Sequence, residues 1–241
     1  MLLDADIADA IASKTARVRD RIAIAASRAG REATDIRLVA VSKKFGAQQA
    51  RAAVIAGLTD LGENRVQEAV QKMSTIGADE SIDITWHLIG HLQSNKARKA
   101  AGAFDWIHSV DSLELLTRLE DTARAEGTHP KLMVQVDLAG ETTKHGATVE
   151  ETRRILDAAS DCTAVRMSGL MVLPPWSEDA ELSRPFFACL RKLRDTLLQD
   201  GIAAKMLGEL SMGMSHDLEI AIEEGATIVR VGTAIFGPRP G

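Results

Sequence analysis

A lysine directly after a β-strand is the first residue in this chain that could do covalent chemistry. It stands in the run Ala40-Val41-Ser42-Lys43-Lys44. A desolvated lysine has a lowered pKa, and its neutral amine condenses with an aldehyde. The same two lysines would equally suit the start of a solvated loop. A second feature is a pair of short turns rich in Gly, Ser and Thr, Leu210-Ser211-Met212-Gly213-Met214-Ser215 and Arg230-Val231-Gly232-Thr233. Such turns can aim backbone N–H groups and hydroxyls at one anion such as a phosphate. Asp217 would repel that anion if it pointed inward, so it is expected to cap its own helix. His87 and His91 are four apart, as metal ligands on a helix would be. The first, however, lies in a strand pattern and the second just beyond Gly90, so no metal site is expected.

The elements that must position these residues alternate. Ile7, Ile11, Val18 and Ile22 fall on one face of an N-terminal helix over Ile7–Ala29, and Gly30 stops it. Strand-like apolar runs follow at Ile36–Val41, Leu58–Gly62, Ile84–Ile89, Trp106–Val110, Leu132–Leu138, Val165–Val172, Met206–Leu210 and Ile228–Val231. Helical patterns separate them. Asp111 with Glu114 and Thr148 with Glu151 have capping-box spacing. Gly57, Gly102, Gly127, Gly201 and Gly225 sit where helices should stop. Such alternation implies parallel pairing, because each crossover needs a dozen or so residues. An α/β fold is therefore expected: a single (β/α)8 TIM-type barrel over residues 1–241, with an extra N-terminal helix (1–35) packed on it. A doubly wound open sheet would give a similar pattern. In a barrel the chemistry gathers where strands end. The irregular stretch Leu173–Ser183 reads as a loop at the mouth.

Composition narrows the class. A chain of 241 residues that is 45% hydrophobic and 26% charged can bury a sizeable core. Its net charge of −5 argues against nucleic acid and anionic membranes as partners. Cys162 and Cys189 form no C-x-x-C, so neither a zinc nor a redox pair is suggested, and a reducing cytoplasmic location is expected. No apolar run reaches the length of a membrane span, and Met1–Asp9 lacks signal-peptide order.

The blocks Ala40-Val41-Ser42-Lys43, Gly62-Glu63-Asn64 with Val66-Gln67-Glu68, Trp86–Gly90 with Leu92–Lys96, Gly169-Leu170-Met171, Leu210–Ser215, and Val229–Thr233 with Ile235-Phe236-Gly237 occur in order. Together they closely resemble the pyridoxal phosphate homeostasis protein family, single barrels related to the N-terminal domain of alanine racemases. The resemblance implies pyridoxal 5′-phosphate as cofactor, with Lys43 as the lysine that forms its aldimine. It implies that Ser211, Gly213, Ser215, Gly232 and Thr233 surround the phosphate. Arg230 then lies beside the pyridine nitrogen, and Asn64 lies near the cofactor. It further implies a monomer that holds or buffers cofactor, with cofactor-dependent apo-enzymes as partners and no amino-acid turnover. Physically, a cationic Arg230 at the ring nitrogen would disfavour ring protonation and weaken the electron sink. An amino-acid racemase of the alanine racemase type is the alternative. In that enzyme the second base is a tyrosine from an added domain; this chain has no tyrosine and ends soon after the eighth strand. A Schiff-base aldolase acting on a phosphorylated sugar is a third reading.

Overall fold

The computed structural model describes residues 2–76, 83–140 and 145–238. The apolar runs become β1 (Arg37–Val41), β2 (Asp60–Glu63), β3 (Thr85–Leu88), β4 (Trp106–Val110), β5 (Lys131–Gln135), β6 (Arg166–Met171), β7 (Glu209–Ser211) and β8 (Ile228–Val231). Each pairs in parallel with the next in sequence order, and the sheet closes. The closing ladder sets Arg37, Leu38, Val39 and Ala40 against Ile228, Val229, Arg230 and Val231. The fold is therefore the closed (β/α)8 barrel, and the open sheet is excluded.

Around it lie α1 (Leu2–Arg28), α2 (Ala47–Ile55), α3 (Val66–Ile76), α4 (Ala97–Ala101), α5 (Leu113–Glu126), α6 (Val149–Ala159), α7 (Arg184–Gln199), α8 (Leu218–Glu223) and α9 (Thr233–Phe236). Ile11, Val18 and Ile22 bury the apolar face of α1, which packs on α2, α8 and α9. No described helix is long and apolar enough to cross a membrane.

Strand alternation divides the apolar residues into two sets. The larger core fills the layer between the outer face of the sheet and the helices, and includes Ala40, Leu61, Leu88, Leu210, Val229 and Val231. Val39, Trp106, Met133 and Ile228 form a separate small cluster, which strand parity places inside the barrel.

Four local expectations need correction. β7 begins at Glu209, because Ala204–Met206 is a 3₁₀ turn that uses the N–H groups of Met206 and Leu207 on Ala203 and Ala204. The cap of α5 is Ser112, whose hydroxyl accepts the Leu115 N–H at 3.3 Å, and not Asp111. Gly102 keeps a right-handed φ of −84°, because α4 ends through Ala103 and Phe104 N–H bonds to Ala100. Asp217 stands at the N-cap position of α8 but makes no capping bond; its carboxylate accepts the Met214 N–H at 2.7 Å instead. The Thr148 cap holds, with its hydroxyl accepting the Glu151 N–H at 3.1 Å.

One buried acid on α5 secures the entry to β6. The Glu120 carboxylate accepts backbone N–H bonds from Thr163, Ala164 and Val165 at 2.9–3.2 Å. Burial by itself would raise its pKa, but these donors outweigh burial and pull it from 4.5 to about 2. A folded-state value below the unfolded one means stabilisation that is present above pH 4.5 and lost as pH falls towards about 2. Glu120→Gln should therefore melt at a lower temperature at neutral pH and lose part of the wild-type decline across that acid window. Thermal melts over a pH series check this, and a variant matching wild type at pH ~7 would contradict it.

Candidate functional site

A cavity of about 270 Å³ opens at the strand ends of β1 and β8. Lys43, Asn64, Ser215, Arg230, Gly232 and Thr233 all line it, beside the apolar side chains of Val41, Phe45, Ile89, Leu173, Trp176 and Met214. Its size sits near the lower end of small-molecule sites, roughly 300 Å³ and upward. Among the described residues the lining carries an amine, a guanidinium, two hydroxyls, an amide and the His216 imidazole, and no carboxylate. This donor set suits a small anionic carbonyl compound with a flat apolar ring, and thus fits pyridoxal 5′-phosphate.

Lys43 lies in a turn two residues beyond β1, so strand pleating does not by itself distinguish it from Lys44. The backbone does. In the turn Lys43 lines the cavity, whereas Lys44 takes φ +66° and lines a separate pocket with Glu68 and Lys72.

A buried ion pair fixes the strand ends behind Lys43 and Asn64. Lys72 of α3 pairs with Glu63, the last residue of β2, and is 6% exposed against 0% for Glu63. The Lys72 ammonium also donates to the Ser42 carbonyl at 2.9 Å, and the Ser42 hydroxyl donates to Glu63 at 2.5 Å. Glu63 and Ser42 each directly precede a cavity residue, so this knot sets where β1 and β2 deliver Lys43 and Asn64. Gly90 completes the arrangement. Any Cβ there would collide with the Asn64 backbone, so the β3 end can approach only as glycine.

The two Gly/Ser turns meet as expected. The Ser215 hydroxyl accepts the backbone N–H groups of Gly232 and Ala234 at 3.2 Å. Arg21 of α1 donates to the Ser215 carbonyl at 3.1 Å while gripping Glu219 of α8, so the extra helix braces this turn from outside. The Leu173–Ser183 stretch does form the mouth loop, and His216 ties it down through the Glu178 carbonyl at 3.0 Å.

Ser211 and Gly213 do not join the cavity lining. Gly213 takes φ +88° and turns towards α8, where an added Cβ would lie 2.5 Å from the Ala221 Cβ. Ser211 is fully buried beneath Arg230, whose Nη1 donates to its hydroxyl at 2.5 Å. Arg230 Nη2 donates to the Val172 carbonyl at 3.0 Å. Burial pulls the Arg230 pKa down to about 10 against an opposing pull from the Asp217 charge, so the guanidinium stays protonated at neutral pH.

Sequence reasoning missed what lies below. Ser211 meets His108 Nδ1 at 2.8 Å, His108 Nε2 meets His87 Nδ1 at 3.0 Å, and His87 Nε2 meets Asp60 at 3.0 Å. The available signal was a histidine at an inward position in each of two apolar strands. His91, four residues from His87, stands apart at the mouth. Its donor atom and those of Asp111 and His145 lie within 4.8 Å of one another, the one such group among the described residues. The His91 and His145 rings stack in parallel at 3.4 Å, so their lone pairs run side by side and would have to turn to share an ion.

Fold and site together define a lysine-bearing barrel of the alanine racemase N-terminal type. The family model described as "Alanine racemase, N-terminal domain" matches residues 14–240. The pyridoxal phosphate homeostasis protein of Pseudomonas aeruginosa is 41% identical over 230 residues, covering 95% of this chain and 96% of its own. That of Escherichia coli is 38% identical over 229 residues, covering 95% and 97%. The structure of PipY from Synechococcus elongatus with PLP bound superposes with a TM-score of 0.82 at 41% identity, covering 94% of this chain and all of that one. An alanine racemase of Clostridium difficile shares the fold at 16% identity and a TM-score of 0.71, and this chain covers 53% of it. The chain belongs to the pyridoxal phosphate homeostasis protein family.

Removing one partner of a buried ion pair leaves an uncompensated charge and costs about 3–5 kcal/mol. Lys72→Met should lose stability of that order in denaturant unfolding, and adding Glu63→Gln should recover part of it. A single variant as stable as wild type would contradict the role given to this pair.

Proposed function

We propose that this protein binds pyridoxal 5′-phosphate at the β1–β8 mouth and serves cofactor homeostasis in the cell as a holder of the cofactor rather than an amino-acid enzyme. The observation that carries this is the cavity in which Lys43, Arg230, Ser215 and Thr233 converge with no lining carboxylate. The homeostasis names of the relatives and the PLP-bound PipY structure support it. When bound, the cofactor supplies an aldehyde that condenses with an amine and a pyridine ring that can accept electrons.

The chain's own residues divide the work. Lys43 presents the amine. The Ser215 and Thr233 hydroxyls, with the Gly232 turn, face the phosphate. Asn64 would meet the cofactor from the β2 end, while Gly213 and Ser211 act one layer back, shaping the turn and holding Arg230. Arg230 offers N–H donors and a positive charge to the ring nitrogen, which keeps that nitrogen unprotonated and the ring a poor electron sink. The Val41, Ile89 and Leu173 side chains supply apolar contact for the ring. No tyrosine is present among the 241 residues to act as a second base. The closed sheet leaves no strand edge for pairing with a second copy, and a monomer is part of this reading. Cofactor-dependent apo-enzymes are the recipients in this reading. The free thiols of Cys162 and Cys189 fit a reducing cytoplasm.

The test is deuterium exchange at the α-carbon of a panel of amino acids, followed by NMR on cofactor-loaded protein with Lys43→Ala as control. Exchange no faster than with free cofactor is expected. Exchange at roughly 1 per second or faster, lost in the control, would favour the racemase reading.

A further inference from the structure

The buried contacts below the cavity form one continuous chain with a fixed direction. It runs from Arg230 through Ser211, His108 and His87 to Asp60, over bonds of 2.5, 2.8, 3.0 and 3.0 Å. His87, His108 and Ser211 are fully buried and Arg230 is 3% exposed. Asp60 begins β2 at the opposite rim of the barrel, where Arg37 donates to the same oxygen at 2.7 Å.

The direction follows from the two ends. A guanidinium has five donors and no acceptor, so Ser211 must accept from Arg230. Its single proton then goes to His108 Nδ1. A neutral His108 carries its proton on Nε2 and donates to His87 Nδ1. A neutral His87 donates from Nε2 to Asp60, and an ionised carboxylate can only accept. Every link is satisfied with no charge inside the barrel beyond Arg230. The competing arrangement reverses the middle bonds and needs a doubly protonated His87 between His108 and Asp60. Burial lowers the pKa of both histidines, and Arg37 opposes a charge on either. The carboxylates of Asp60 and Asp105 work the other way on His87, while Arg230 and His87 add to the opposition at His108. Burial also raises the Asp60 pKa, but the His87 and Arg37 contacts outweigh it, so the acceptor end stays ionised.

We propose that Asp60, His87, His108 and Ser211 are a one-way hydrogen-bond relay whose function is to position Arg230 and tune it from the far end of the barrel. With Nη1 committed to Ser211 and Nη2 to Val172, the guanidinium is held in one orientation at the cavity it lines. Bonds in such a chain polarise one another, so the Asp60 charge is felt at Arg230 through its partners. The effect on cofactor rests on the site assignment above; the direction of the relay does not.

Two measurements decide this. In cofactor-free protein with ¹⁵N-labelled histidine, long-range ¹H–¹⁵N NMR should find both His87 and His108 neutral with the proton on Nε2, from about pH 6 to about 8. A proton on Nδ1 of either, or a charge on His87, would overturn the relay. In cofactor-loaded protein, Asp60→Ala and Ser211→Ala should each move the pH midpoint of the cofactor absorbance band downward by roughly half a unit. The double variant should move it no further than the larger single change, because the two act through one chain. Asp60→Asn keeps an acceptor oxygen but removes the charge, so it should keep both histidine protons on Nε2 yet shift the midpoint about as far as Asp60→Ala. An unchanged midpoint in Asp60→Ala, or additive shifts, would overturn the tuning role. A wild-type protein that binds no cofactor would overturn the site assignment instead, and the NMR result would still judge the relay.

Discussion

A buried guanidinium can donate hydrogen bonds but never accept one, and the interior of this barrel is arranged around that restriction. Barrels of this class commonly fill their interior with layers of branched aliphatic side chains. Here Val39, Trp106, Met133 and Ile228 form only a small apolar cluster, and His87, His108, Ser211 and Arg230 occupy neighbouring inward positions. A buried polar group without a partner costs free energy, so such an interior is tolerable only if every link is made. The chain ending on Asp60 supplies those links. Burial alone would argue against a charge on Arg230, and the nearby Asp217 carboxylate opposes that pull.

The rest of the mouth is held from outside the sheet. The Glu63–Lys72 pair fixes the ends of β1 and β2, and so the approach of Lys43 and Asn64. Arg21 reaches from α1 to the Ser215 carbonyl and Glu219, which gives the extra helix a part in shaping the Ser215 turn. Asp217 draws the Met214 N–H towards itself, closing the turn between β7 and α8. Packing, pairing and turn chemistry thus act on one small region from three directions.

Much of this was legible in the sequence, for a physical reason. Buried parallel strands are short, nearly continuous apolar runs, and the runs at Trp106–Val110 and Ile228–Val231 match the observed strands residue for residue. Lys43, Ser215, Gly232 and Thr233 fall in one cavity because strand ends on the same face of a barrel must meet. Depth was not legible. Ser211 and Gly213 share the composition of the Ser215 turn, yet one ends a strand pointing inward and the other faces α8. The His87–His108 contact joins residues on different strands, and its register is set by pairing that no local pattern reveals. Asp111 and Asp217 were misjudged because a carboxylate near a helix start has several donors within reach, and composition does not choose among them.

The central claim is that the turn after β1, which sends Lys43 into the β1–β8 cavity and Lys44 into another pocket, makes Lys43 the residue that meets the cofactor aldehyde. Borohydride reduction of the loaded protein, followed by peptide mass mapping, tests it directly. A single reduced pyridoxyl-phosphate adduct on Lys43 is the result this account predicts. An adduct on Lys44, which points into a different pocket, or on any lysine outside the β1–β8 mouth would contradict it.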